Sequence, residues 1–217
     1  MTVTETALAG AAGDGYRRLV ARRRLLVLAL LAVAAVSFCI DMVVGPSSLG
    51  VVDTLRAIFG TGDVSRTQSV IVWQVRMPQA VTALCVGAAL SLAGAEMQTI
   101  LDNPLASPFT LGVSSAASLG AALAIIVGVT IPGLPQTWLV SANAFVFALG
   151  SVLLLQALAG RRGMGPDTLV LLGIAMVFAF NALVGLLQFV ASESALQQFV
   201  FWTLGNISQT GWPKIAV

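Results

Sequence analysis

The sequence predicts an all-α protein built as a polytopic bundle of transmembrane helices. Three observations predict it: 58% of the 217 residues are hydrophobic, only 9% are charged, and the mean hydropathy is +0.95. A water-soluble domain carries roughly 25% charged residues, and it needs them at its surface whatever the size of its core. The missing charge means that most of the surface faces membrane lipid. A net charge of +2 is too small to imply nucleic acid as a partner.

The elements follow in order. Residues 1–16 are small and polar without a period and are expected to lack regular structure. Arg17, Arg18, Arg22, Arg23 and Arg24 come next, so residues 1–24 read as a basic N-terminal tail and residues 25–217 as the transmembrane domain. Leu25–Val44 is an apolar run of about 20 residues, enough for ~30 Å of hydrocarbon and longer than the ~7–15 residues of a signal-peptide core. It reads as a retained first span. Residues 45–79 are the one long polar connection, with an interfacial helix at Ser48–Ile58 and a turn at Gly60-Thr61-Gly62-Asp63.

Span two is expected at Pro78–Leu101, stopped by Asp102-Asn103-Pro104 because proline disfavours helix at the residue before it. Ser107-Pro108 reads as an N-cap with proline at the first helical position, opening span three at Phe109–Val129, which Pro132-Gly133 and Pro135 end. Span four is expected at Gln136–Ala159, closed by Gly160-Arg161-Arg162-Gly163, and span five at Thr168–Ala191. Leu196–Leu204 is apolar but too short to cross and reads as a re-entrant or interfacial helix. Gly211-Trp212-Pro213-Lys214 opens a further element. The count is five to six spans.

Arginines near span ends set orientation. With a cytoplasmic N-terminus, Arg17, Arg18, Arg22, Arg23, Arg24, Arg161 and Arg162 lie inside, against Arg56, Arg66 and Arg76 outside. Span three repeats Gly112, Ala116, Gly120, Ala124 and Gly128, and span two repeats Ala83, Gly87, Ser91 and Ala95, each at four-residue intervals. Such positions share a helix face, and small residues there let helices approach closely.

The chemistry on offer is sparse. There is no histidine, which removes the commonest general base and metal ligand, and no nucleophile–base pair, metal cluster or nucleotide loop stands out. No catalytic residue, metal or cofactor is expected. Cys39 and Cys85 are too few for a disulfide framework and read as small buried hydrophobes. Glu96 is the one acid well inside an apolar span, either a functional carboxylate or a side chain that reaches the interface or is protonated. Asn143, Asn181 and Gln188 read as hydrogen-bonding between helices.

One string is specific. Val75-Arg76-Met77-Pro78, Val86-Gly87-Ala88-Ala89-Leu90, Ala93-Gly94, Met97-Gln98, Asn103-Pro104-Leu105-Ala106-Ser107-Pro108 and Leu111-Gly112-Val113-Ser114 succeed each other at a fixed spacing. The string resembles the permease subunits of ABC importers for iron–siderophore complexes, haem and cobalamin. Leu171-Leu172-Gly173-Ile174-Ala175 and Phe201-Trp202-Thr203-Leu204-Gly205 agree with it. The resemblance covers residues 25–217.

It implies a bacterial cell (inner) membrane protein that forms the translocation pathway of a metal-chelate importer, with iron–siderophore cargo foremost. It also implies a second permease subunit, cytoplasmic ATPase subunits and an extracytoplasmic substrate-binding protein. Such permeases have about ten spans, so the chain corresponds to the N-terminal half of one, as a fragment or a natural truncation. Arg76, at the outer mouth of span two, reads either as a docking point for the binding protein or as an interfacial arginine that reaches lipid phosphates. Gln79 stands where the resemblance leads one to expect a second arginine. Pro78, Asn103, Pro104, Leu105, Pro108 and Gly112 carry the motif and the helix turn, and Asn181, Gln188, Trp202 and Gly205 are candidates for lining the pathway. Two other functions stay open: a truncated subunit that only assembles with membrane partners, and a proton-coupled secondary transporter using Glu96.

Overall fold

A computed structural model describes residues 3–45, 49–128, 132–133, 135–162, 165–208 and 210–215. Ser48, Val129 and Gly163, where expected boundaries fall, lie outside the described residues. Among the described residues the regular elements are all helical.

Helix α1 runs Val3–Val43. Over residues 3–16 it corrects the expectation that the N-terminal stretch lacks regular structure. Ala7, Leu8, Ala11 and Ala12 are strong helix formers, and a helix already formed by the apolar run extends without a new nucleus. Helix α2, Val51–Phe59, ends at Gly60, whose φ of 64° supplies the left-handed cap and whose N–H donates to the Arg56 carbonyl.

Ser65 opens α3, Arg66–Val70, with a capping box: its Oγ accepts from Gln68 N, and Gln68 Oε1 accepts from Ser65 N. The chain continues through a π turn, Ile71–Arg76, into α4, Met77–Ile100. Span two is therefore one helical segment, Arg66–Ile100, of 35 residues, beginning well before the expected Pro78. Proline sits inside the helix here because the wider π turn accommodates it.

After α4, Asp102 takes φ 46°, a left-handed conformation that short polar side chains tolerate. Helix α5 is Val113–Ile126, and its N-cap is Gly112 at φ 78°. The expected start at Ser107-Pro108 is thus displaced. The Thr110 hydroxyl donates to the Ser107 carbonyl at 2.7 Å and closes a local turn that competes with helix. Helices α6, Gln136–Arg162, and α7, Pro166–Val190, match the expected spans four and five. Helix α8, Glu193–Leu204, is capped by Ser192, and α9 is Trp212–Ile215. Segments containing α1, α3–α4, α6 and α7 are long and apolar enough to cross a membrane. At 14 residues, α5 is shorter, about 21 Å at 1.5 Å per residue.

The chain divides into two compact units, residues 1–82 with 210–217, and residues 83–209. The first is centred on Met42, Ala57, Val72 and Ala80. The second is built around α5, where Leu119, Ala121, Ala122, Ala124 and Ile125 meet Val140 and Ala144 of α6, Val184 of α7 and Phe199 of α8. The small face of α5 explains that packing. A Cβ on Gly120 would lie 2.6 Å from the Asn143 carbonyl oxygen, and Asn143 Nδ2 donates back to the Gly120 carbonyl at 2.6 Å.

The matching face on α4 is open among the described residues, with none of them within 4 Å of a Cβ on Gly87. Cys39 and Cys85 are likewise exposed, which corrects the buried reading. They sit on the two spans whose apolar windows are each only 6% buried.

Candidate functional site

In the first unit, side chains close one carbonyl group after another around the π turn. A helix end leaves its last carbonyls without intrahelical donors. At the end of α1, Arg76 Nη1 donates to the carbonyls of Met42 and, at 2.8 Å, Val43. Arg76 is only 6% exposed. Gly45 matters to this fit, because a Cβ there would lie 3.0 Å from Arg76 Nη2. A cation at a helix C-terminus also meets the negative end of the helix dipole.

Trp73 Nε1 donates to the Ala57 carbonyl in the last turn of α2 at 3.0 Å. The carbonyl of Trp73 in turn accepts from Trp212 Nε1 at 2.7 Å. Pro78, fully buried, completes the arrangement. Sequence reading singled out Arg76 and Pro78 but missed Trp73. Its signal, an aromatic three residues before the arginine, is intelligible only once the segment is known to be helical.

In the second unit, the motif residues form the turn between α4 and α5. Asn103 Oδ1 accepts from Leu105 N at 2.9 Å, and Gln98 Nε2 donates to the Pro104 carbonyl at 3.0 Å. These bonds hold Leu105 outward, 85% exposed, with Pro108 half-buried. The turn is pressed onto α7. A Cβ on Gly173 would sit 2.8 Å from both Leu111 Cα and the Thr110 carbonyl oxygen, and one on Gly112 would sit 3.3 Å from the Gly173 carbonyl. Two separate motif pieces, Asn103–Gly112 and Leu171–Ala175, thus become one contact.

The remaining candidates are dispersed. Asn181 is exposed and Gln188 half-buried, two helical turns apart on α7. Trp202 stacks on Phe199 with ring centroids 6.5 Å apart and packs against the α5 core. Gly205 ends α8 at φ 72°, and Glu96 is exposed on α4. The sites have the character of helix clamps and tight turns.

A family model for FecCD transport proteins matches residues 30–217. The chain belongs to the FecCD transport family. An ABC transporter permease protein of Methanocaldococcus jannaschii is 36% identical over 183 residues, 80% of this chain and 51% of that one. The vitamin B12 import permease of Yersinia enterocolitica is 35% identical across 68% of this chain and 43% of its own. The molybdate import permease of Haemophilus influenzae is 34% identical across 70% and 44%. A solved inward-facing structure of a metal-chelate type ABC transporter superposes with a TM-score of 0.72 at 29% identity, covering 88% of this chain and 56% of that one. This FecCD chain therefore spans about half the length of these relatives.

Proposed function

We propose that this chain supplies membrane-spanning helices of the permease subunit of an ABC importer for metal chelates, with an iron–siderophore complex as the foremost cargo. The observation that carries the reading is the FecCD match over residues 30–217. Relatives named for vitamin B12 and molybdate import, and a structural neighbour of metal-chelate type, support small metal-containing cargo as the class.

On this reading the chain performs no chemistry. It forms part of a pathway beside a second permease subunit, in a bacterial inner membrane, with its N-terminus cytoplasmic. ATPase subunits beneath it supply the energy, and an extracytoplasmic binding protein delivers cargo near Arg76. Arg76 is 6% exposed with its guanidinium held on two carbonyls of α1, so docking there needs it to leave that hold for an acidic partner. Asn181, Gln188, Trp202 and Gly205 line the pathway. The test is reconstitution with an ATPase and a binding protein of the same importer, following radiolabelled ferric siderophore, cobalamin and molybdate in separate assays. ATP-dependent uptake of the ferric siderophore is expected; stable assembly with uptake of only another cargo overturns the siderophore assignment.

A second reading, an assembly subunit that does not itself transport, is favoured by the open small-residue face of α4. Formation of a stable complex with neither uptake nor stimulated ATP hydrolysis would select it.

A further inference from the structure

The π turn, Pro78 and Trp212 are physically linked. In an α-helix the amide of residue 78 would bond the carbonyl of residue 74, but proline has no N–H and its ring strikes that carbonyl. Widening the preceding turn relieves the collision. Met77 N accordingly bonds the Val72 carbonyl, five residues back. In this register the next amide, at position 78, would serve Trp73. Pro78 has none to give, so the carbonyl lacking its backbone donor moves from Gln74 to Trp73.

That displaced carbonyl is the one the Trp212 indole reaches, at 2.7 Å. Adjacent helical positions differ by about 100° around the axis, so an α register would aim the orphaned carbonyl elsewhere. Arg76 lies in the same π turn and holds the end of α1. π turns inside α-helices recur at functional sites; here one has a side-chain donor matched to it.

We infer that Trp212 is a positioning residue: its indole N–H selects the π register of Ile71–Arg76 and thereby holds Arg76 on the carbonyls that end α1. Segment 210–215 and the end of α1 are coupled through this one turn. Displacing Trp212 loosens Arg76, and removing the need for an outside donor frees Trp212. The coupling concerns hydrogen bonds within the chain and stands whether or not Arg76 docks a partner.

The experiment uses the full 217-residue chain in lipid nanodiscs, labelled with nitrogen-15 at tryptophan and arginine. Indole N–H signals are assigned by single Trp→Phe substitutions and the Arg76 side-chain signals by R76K. P78A restores a backbone donor and should speed solvent exchange of the Trp212 indole about fivefold or more, the effect of one net hydrogen bond. W212F should speed exchange at the Arg76 side chain, and adding P78A to W212F should change Arg76 exchange no further. The Trp138 indole, on α6, serves as the control and should stay unchanged in every variant. An unchanged Trp212 indole in P78A, an unmoved Arg76 in W212F, or additive effects in the double variant each overturn the inference.

Discussion

The guanidinium of Arg76 donates to the carbonyl of Val43 at 2.8 Å, so a residue in the π turn of the second span closes the end of the first. Removing it leaves buried carbonyls without a donor. R76A should lower the stability of the chain in detergent by about 1–3 kcal/mol, as expected for lost hydrogen bonds to a charged group. R76K should recover part of that loss, because an ammonium lacks the rigid fork of a guanidinium. Thermal unfolding in one detergent across the series checks the order.

If Arg76 also docks a binding protein, charge should show in the rate of encounter. A charge at the edge of an interface acts mainly on association rate and its salt dependence. In the assembled importer R76E should slow association most at low ionic strength, and Q79R should speed it. Stopped-flow binding across a salt series is the measurement. An association rate indifferent to both substitutions confines Arg76 to its hold on α1.

The small faces of α4 and α5 should respond oppositely to added bulk. On α5, G120A drives a Cβ into the Asn143 backbone at 2.6 Å, and overpacking of this kind costs about 1–3 kcal/mol. On α4, G87A meets nothing within 4 Å and should be neutral or slightly stabilising for the isolated chain through helix propensity. G87L should leave the isolated chain folded yet hinder its assembly with further helices. Circular dichroism melts and co-purification separate the two effects.

Much of this was legible in the residues. The apolar windows located α6 and α7 closely, and the Gly60 and Asp102 turns fell where glycine and proline chemistry placed them. Boundaries failed where a local hydrogen bond outcompeted a general rule. Ser107-Pro108 has the form of a helix start, yet Thr110 folds the chain back on Ser107 and defers the helix to Gly112. Pro78 was expected to begin a helix, and the π turn instead carries the helix through it. The contact between Gly173 and Leu111 joins residues distant in sequence, and no periodicity connects them.

Orientation rests on the arginine count and is directly testable. Both native cysteines are exposed and must be replaced before any labelling. With a cytoplasmic N-terminus, S65C should react with an impermeant maleimide from outside intact cells. L105C, at a side chain 85% exposed at the opposite end of span two, should react only after permeabilisation. The reverse pattern inverts the protein.

Glu96 separates passive conduction from proton coupling. A carboxylate in an apolar helix is costly to ionise away from water, so its place invites a proton-carrying role. It lies, however, on the last turns of α4, before the turn at Asp102, and is exposed. A glutamate so near a helix end can extend its charge to the interface, as long polar side chains do when their stems lie along apolar surface. E96Q keeps the size and much of the hydrogen-bonding capacity while removing the titratable proton. In the assembled importer, uptake should change less than about twofold, within the range of a lost surface interaction of a few tenths of a kcal/mol, and should stay dependent on ATP. Uptake in energised vesicles lacking ATP supplies the contrasting arm. If E96Q abolishes uptake, and the parent takes up cargo on a proton gradient alone, Glu96 is a coupling residue and the energy does not come from a partner ATPase.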